Sequence, residues 1–493
     1  YRFGISQKTS ERNNMSFQFT GDNDAESSLN SSLTNMGAKQ GQVDSMLTTK
    51  TVSSSPFNRY SANFNNEFLL DTLGGKLTLD LDWSAFRNSS IINYDYTTTF
   101  ANGSLVHPLE QERSSMPVDI DIYVAKLDFA KKLGKGNLES GLKYSHVKSD
   151  NDLQFEHFVD DKWQEFAGRP NHFQYTEQIA AGYVDYGQVM GKFSMKLGLR
   201  GEYTLSDGNS ITLNNRVERS YFDFFPSANL GYTINENNIL SLSYARKISR
   251  PNYRFLNPFE YFIDKYTSQR GNAYLKPQYT DGIALNYTLR KMFNISLGTD
   301  ITNDAMLESL GQDTLTGKAW ITRDNLGKTI TTYLNVNAPF QITKFWSSNT
   351  NLTTIHMHFK GPIGQDYINQ GSVFFQGRSM HNFKFSQALS GELSINYNSP
   401  FLYNVYKIHG RWGTDVGINY NFKDGRSSLK IAGTDIFKTQ KNNVSTEFGE
   451  FNSSFRQYND NRSIRLTYTY KFGNLKQRIN KNDTNSEEKS RAQ

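Results

Sequence analysis

Arg462-Ser463-Ile464-Arg465-Leu466-Thr467-Tyr468-Thr469-Tyr470-Lys471-Phe472 sets Ile464, Leu466, Tyr468, Tyr470 and Phe472 on one face of an extended chain and Arg465, Thr467, Thr469 and Lys471 on the other. Side chains alternate across a strand with period two, so one such face meets lipid while the other meets water. The pattern recurs upstream. Leu77, Leu79, Leu81 and Trp83 alternate with Lys76, Thr78, Asp80, Asp82 and Ser84, and Phe193, Met195, Leu197 and Leu199 with Ser194, Lys196, Gly198 and Arg200. Leu240, Leu242 and Tyr244 repeat it, as do Ile283, Leu285, Tyr287 and Leu289, and later Leu393, Ile395 and Tyr397. A charge on the lipid face at mid-membrane costs about 2–4 kcal/mol, which explains why the charges keep to the other side.

Composition removes the competing classes. Of 493 residues, 37% are hydrophobic, and no apolar run approaches the roughly 20 residues that a membrane helix needs. Aromatics reach 14%, far too many for a disordered polar chain, so they are buried or lie in lipid. Cysteine is absent, which excludes disulfides and thiolate sites. The net charge of +6 is spread over 54 basic and 48 acidic residues without a basic block, so nucleic acid is not an expected partner.

Connections alternate between very short and very long. Leu73-Gly74-Gly75, Gly134-Lys135-Gly136, Met190-Gly191, Asn235 to Asn238, Lys291-Met292, Ser390-Gly391 and Lys423-Asp424-Gly425 read as tight turns, with glycine and asparagine supplying positive φ. Between them lie polar stretches read as long loops, at 21–56, 89–121, 151–172, 207–219, 251–277, 307–326 and 438–460. Short turns at one end and long loops at the other are the asymmetry of an outer-membrane barrel, with the long loops extracellular. A soluble sandwich uses strands of about 5 to 6 residues without that one-sided bias, whereas these read as about 10 to 14.

The expected fold is therefore all-β, a large antiparallel transmembrane barrel of about 18 to 22 strands. About 19 strands are counted, an odd number that points to N-terminal sequence missing before Tyr1. Residues 1–473 form the barrel, with short periplasmic turns. Residues 474–493, rich in Lys, Arg, Asn, Asp, Glu and Ser, read as a flexible periplasmic tail. Tyr468, Tyr470 and Phe472 stand where outer-membrane barrels carry a terminal aromatic assembly signal.

One segment goes beyond barrel grammar. Ser243-Tyr244-Ala245-Arg246-Lys247-Ile248-Ser249-Arg250-Pro251-Asn252-Tyr253 is followed by Leu256-Asn257-Pro258-Phe259, Tyr261, Asp264 and Gly271-Asn272-Ala273-Tyr274-Leu275-Lys276-Pro277. This closely resembles a signature of TonB-dependent receptors, in particular their Bacteroidota-type outer-membrane β-barrel family. There a strand ending Tyr-Ser-x-Arg-Ile-x-Arg-Pro leads to Leu-Asn-Pro-Phe and a Gly-Asn-Pro-x-Leu-x-Pro loop. The likeness continues through Val416 to Phe437 and in the closing Arg462 to Gly473 block. Ala273 stands where the family usually has proline. The resemblance implies a barrel of roughly 22 strands around an N-terminal plug, and uptake of a scarce ligand energised through TonB. No plug or TonB-contacting segment lies among these residues, so no such role can be assigned to them.

The prolines Pro251, Pro258 and Pro277 cannot donate ladder bonds, and Gly271 with Asn272 supports a tight turn, so the signature reads first as a device that folds loop 251–277 against the rim. Phe255, Phe259, Tyr261, Phe262 and Tyr266 also concentrate aromatic surface there. Arg250, Pro251, Asn257, Pro258, Phe259, Tyr261, Tyr266, Gly271, Asn272 and Pro277 are accordingly the candidates for loop folding or for contact with a sugar, a siderophore or a lipoprotein partner. His356 and His358 fall on one strand face, expected to be the lumen side opposite lipid-facing Ile355, Met357 and Phe359. A third metal ligand is not identifiable, so no metal is expected. The acidic run Asp150, Asp152, Asp160 and Asp161 lacks calcium-loop spacing. No nucleophile elbow or local Ser-His-Asp grouping appears, so neither catalysis nor a cofactor is expected.

The resulting expectation is an outer-membrane receptor and transporter whose partners are membrane lipid, the TonB complex if a plug is present, and a lipoprotein or other surface protein. A passive porin-like channel and a surface scaffold or adhesin remain as alternatives.

Overall fold

The computed structural model describes residues 1–37, 42–262, 265–313, 318–363, 366–448, 451–472 and 484–492. Asp264, Gly473 and the tail residues 474–483 and 493 lie outside the described residues. Among those described, one antiparallel sheet of 20 strands follows chain order from Arg2–Ser10 to Ser463–Tyr470. One of them, Lys162–Glu165, is a short return on the end of Gly136–Val159. Of the other 19, each after the first pairs with the strand before it, as along a barrel wall.

Exposure separates the faces as the alternation demands. Leu142, Val184, Leu199, Leu242, Leu285, Leu297 and Leu334 are exposed and share the outward face, where Leu297 sits opposite both Leu285 and Leu334. Asp80, Asp82, Ser84, Glu177, Glu202 and Thr204 are buried on the inner face. Aromatics crowd the short-turn end: Phe193 on Tyr232 at 4.8 Å, Phe293 on Phe340 at 5.5 Å, Trp346 on Phe383 at 5.7 Å and Tyr420 on Phe422 at 5.1 Å between ring centres. Such a girdle marks an apolar band's edge, since amphipathic rings settle at the interface. The turns below it are tight, and Gly134 and Gly191 hold φ of 59° and 61°, which a Cβ would disfavour.

The height of the wall differs from the sequence reading. Asn13–Met36 has 24 residues, Ser45–Leu69 and Lys76–Phe100 have 25 each, and Glu110–Leu133 and Gly136–Val159 have 24. The stretches read as loops at 21–56, 89–121, 151–172 and 207–219 are thus largely paired strand. Ladder bonds are made by the backbone, so a hairpin that leaves lipid keeps its pairing while losing its apolar alternation. Polar cross-strand contacts take over there, including Ser28 Oγ to Ser53 Oγ at 2.7 Å and Ser55 Oγ to Ser90 Oγ at 3.1 Å.

The second half behaves otherwise. Asn238–Ser249, Gln278–Leu289, Phe293–Asn303, Leu389–Asn398 and Arg411–Asn421 run only 10 to 12 residues. Their long connections build two further four-stranded sheets. One joins Glu260–Phe262, Thr267–Arg270, Lys318–Asn325 and Met306–Asp313; the other joins Phe401–Tyr403, Tyr406–Ile408, Lys441–Phe448 and Phe451–Tyr458.

The histidine pair faces the other way from the sequence expectation. His356 sits opposite Val373 and Thr354 opposite Phe375, on the exposed face that includes Leu352. Phe359 is buried inward with Ala305, Leu307, Ile368 and Val405, and Met357 packs against that cluster. Near the long-loop end apolar residues serve an internal core rather than lipid, so hydrophobicity no longer labels the outer face.

Candidate functional site

Loop 251–277 turns inward and packs on the inner wall. Pro251 has no N–H and ends the ladder. Asn252 then caps the short helical turn Tyr253–Leu256, its side chain accepting from the Arg254 N–H at 2.9 Å. Tyr253, Leu256, Phe259 and Leu275 join one buried cluster with Phe86, Ile120, Ile122, Val124, Val147, Phe173 and Tyr175 of the wall. The signature residues act as its scaffold. A Cβ on Gly271 would lie 1.7 Å from the Asn257 carbonyl oxygen, so only glycine permits this crossing. Asn272 donates to Asp324 Oδ1 at 2.7 Å and accepts from the Tyr274 N–H at 2.9 Å. Arg219 donates to the Ala273 carbonyl at 3.0 Å, tying the loop tip to strand Asn215–Asn235. Pro277 and Asn257 are buried, and Pro258 is half-buried.

Arg250 pins the root of the loop. Its Nη2 lies 2.6 Å from Glu202 Oε2 and 3.1 Å from Thr204 Oγ1, and its side chain is 1% exposed. Glu202 also accepts from Arg200 Nε at 2.5 Å. Below this level a cavity of about 810 Å³ is lined by Asp80, Lys126, Asp128, Glu139, Lys143 and Arg200. Such alternating charge suits a peptide-like or zwitterionic surface rather than an apolar ligand.

The aromatic surface expected to receive ligand is largely taken by arginines of the same chain. Arg323 stacks over Phe255 at 3.8 Å, Arg270 over Trp320 at 4.2 Å and Arg254 over Tyr261 at 5.4 Å. Arg169 stands over Phe166 at 3.9 Å, Phe262 at 4.2 Å and Phe155 at 4.6 Å, and pairs with Glu112 at 3.0 Å. Tyr266 packs on the cluster of Leu47, Ile92, Tyr94, Tyr96, Phe155 and Phe262. Tyr261 and Tyr274 keep exposed rings. Each cation–π contact contributes about 0.5–2 kcal/mol; Arg169 fastens the loop to the tall hairpins, while Arg323 and Trp320 fasten it to strand Lys318–Asn325.

Sequence reasoning missed Glu177, Glu202, Arg169 and Glu112. Glu177 and Glu202 were legible only as polar members of alternating strands; their signal is a charge held at mid-strand on the water-facing side. His356 and His358 lie apart from loop 251–277, with ring centres 6.3 Å from each other and His358 Nε2 2.8 Å from Asn369 Oδ1. Among the described residues no third His, Cys, Asp or Glu completes a metal set with them.

Residues 67–470 match the profile of the outer membrane protein beta-barrel family. The chain belongs to that family. It is accordingly a multi-pass β-barrel protein of the bacterial outer membrane, and the apolar outward face described above is its lipid contact. Comparison with curated proteins by sequence gives no match. Among solved structures, FpvA of P. aeruginosa bound to heterologous pyoverdines is similar at 11% identity and a TM-score of 0.57, covering 95% of this chain and 69% of that one. The ferric yersiniabactin uptake receptor FyuA from Yersinia pestis is similar at 12% identity and 0.54, covering 96% and 77%. The FrpB iron transporter from Neisseria meningitidis is similar at 12% and 0.52, covering 96% and 79%. At these identities the likeness is one of fold.

Proposed function

We propose that this chain is the barrel wall of an outer-membrane receptor and transporter that takes up a scarce nutrient, such as a glycan, a peptide or a metal chelate, by a TonB-dependent route. The observation that carries this reading is the inward loop: Tyr253, Leu256, Phe259 and Leu275 pack on the inner wall. A loop folded inward from the rim fits gated, energised uptake better than free diffusion. The solved proteins of the same fold are named as uptake receptors or transporters, which supports the same reading. In this reading the short turns are periplasmic and the long loops extracellular. Exposed Tyr261 and Tyr274 offer the first stacking surface, while Arg250, Gly271 and Asn272 hold the loop in place.

The test is accumulation of labelled ferric chelates, oligosaccharides and peptides by cells carrying the full-length protein, with and without a protonophore. Uptake abolished by the protonophore is the expected result. Steady ion conductance in planar bilayers without such uptake would replace it with a passive channel. A stable co-purifying protein with neither activity would point to a surface scaffold.

A further inference from the structure

The tight turns at the short-turn end carry a charge that the chain as a whole does not. Residues 10–13, 70–76, 131–136, 190–193, 235–238, 289–293, 341–346, 384–389 and 422–427 hold 12 basic residues against Glu11, Asp71, Glu236 and Asp424, an excess larger than the net +6 of all 493 residues. The rest of the chain carries slightly more acid than base. All 12 cations are exposed, and among the described residues only Lys76 of them is in an ion pair, with Glu67 at 3.2 Å. Two of the four acids are occupied by their own turns. Asp71 accepts from the N–H groups of Leu73 and Gly75 at 2.9 and 2.8 Å, and Asp424 from those of Arg426 and Ser427 at 2.9 and 2.8 Å.

Their place along the chain says what they meet. Lys192 directly precedes Phe193, Lys291 lies two residues before Phe293 and Lys344 two before Trp346, while Lys384 directly follows Phe383 and Lys423 directly follows Phe422. These five rings belong to the girdle that closes the apolar band. A step of one or two residues along a strand is about 3–7 Å, so each cation stands just beyond a ring that marks the interface. Lipid headgroups occupy that depth, and a long basic side chain reaches a phosphate there while its stem stays beside apolar groups.

We propose that the short-turn rim is a binding belt for the phosphate headgroups of anionic lipids, such as phosphatidylglycerol, in the leaflet that meets these turns. An acidic protein would need only the charge. The repeated pairing of a girdle ring with an unpaired cation at headgroup depth is what favours lipid. Each basic residue held near an anionic surface raises association about fivefold, and salt screens the attraction within a Debye length. The belt therefore selects among lipids, where the apolar outward face above it accepts any acyl chain. It rests on membership of the outer-membrane family and is independent of the uptake reading, since a receptor and an open channel could each carry it.

The test reconstitutes the full-length protein in phosphatidylcholine vesicles carrying a trace of spin-labelled phosphatidylglycerol or spin-labelled phosphatidylcholine, and electron spin resonance reads the motionally restricted share of each label. At low salt the phosphatidylglycerol label should be favoured about threefold or more, and about 1 M salt should remove most of that preference. The rim set Lys135→Gln, Lys192→Gln, Arg290→Gln, Lys291→Gln, Lys423→Gln and Arg426→Gln should bring the ratio near one. A matched set of exposed cations at the long-loop end, Lys50→Gln, Lys148→Gln, Lys162→Gln, Lys276→Gln, Lys318→Gln and Lys407→Gln, should leave it unchanged. The heat-modifiable band on gels reports folding of both. Should the rim set fail to fold, the pairs Arg290→Gln with Lys291→Gln and Lys423→Gln with Arg426→Gln should each lower the ratio part way. A ratio near one in the unsubstituted protein, a ratio that survives the rim substitutions, or equal loss from both sets overturns the belt. Salt-sensitive co-purification of an acidic protein through the rim residues, without lipid preference, overturns it in favour of a protein partner.

Discussion

The wall from Asn13 to Asn235 and the wall from Asn238 to Tyr470 cross the same membrane but end differently. On the first side, strands of 18 to 25 residues rise well past the lipid band as paired ribbons closed by short connections. On the second, most strands stop after 8 to 14 residues and the chain spends its length on inward loops and small accessory sheets. The difference lies in where the excess polar sequence finds hydrogen-bond partners. Ser- and Thr-rich hairpins satisfy their backbone against each other, whereas the proline-punctuated loops satisfy it within themselves and in the accessory sheets, and loop 251–277 rests its apolar side chains on the tall wall. The tall side is a surface, and the low side supplies what rests on it.

If that division of labour is right, the bond between the two sides is its weakest necessary point. Arg250→Ala removes one of the two guanidinium partners of buried Glu202 and should cost about 3 kcal/mol, read as a lower temperature for loss of the heat-modifiable folded band on gels. Gly271→Val forces the Asn257 carbonyl away and should cost about 1–3 kcal/mol, opening loop 251–277 to protease while the wall strands stay protected. Should Gly271→Val instead unfold the wall, the two regions are one cooperative unit and the comparison fails. Arg169→Ala frees Phe155, Phe166 and Phe262 and should cost about 1–2 kcal/mol, with faster hydrogen exchange confined to the loop and the 160–170 turn.

The smallest effect belongs to the short-turn end. The Ser427 hydroxyl, with the backbone N–H groups of Ser427 and Arg426, holds the Asp424 carboxyl below its ordinary range. A depressed acid stabilises the fold above its unfolded pKa and loses that contribution as pH falls through the folded one. Asp424→Asn should therefore weaken the turn slightly at neutral pH and flatten the acid limb of an unfolding profile. An unchanged acid limb would show that this turn is indifferent to its charge.

Most of the wall was legible because lipid imposes a rule on every other residue. Ile464, Leu466, Tyr468 and Leu285 could be placed on the outward face before any coordinates. The rule lapses above the membrane, which is why the 21–56 hairpin read as a loop and why His356 and Phe359 were assigned to the wrong sides. The signature loop was legible as a folding device through its prolines and Gly271. Its partners were not, because the Arg169 and Glu112 pair joins a turn to a hairpin far away in sequence. The close approach of Gly271 to Asn257 likewise depends on a crossing that no local pattern encodes.

The tall hairpins also decide who can reach the opening. A strand of 25 residues tilted at about 45° spans roughly 60 Å along the barrel axis, and subtracting an apolar band of about 25 Å leaves about 35 Å of wall outside that band. With the long-loop end outward, as proposed, that height would act as a parapet around part of the rim, and a bulky ligand would approach over the lower side, past Tyr261 and Tyr274.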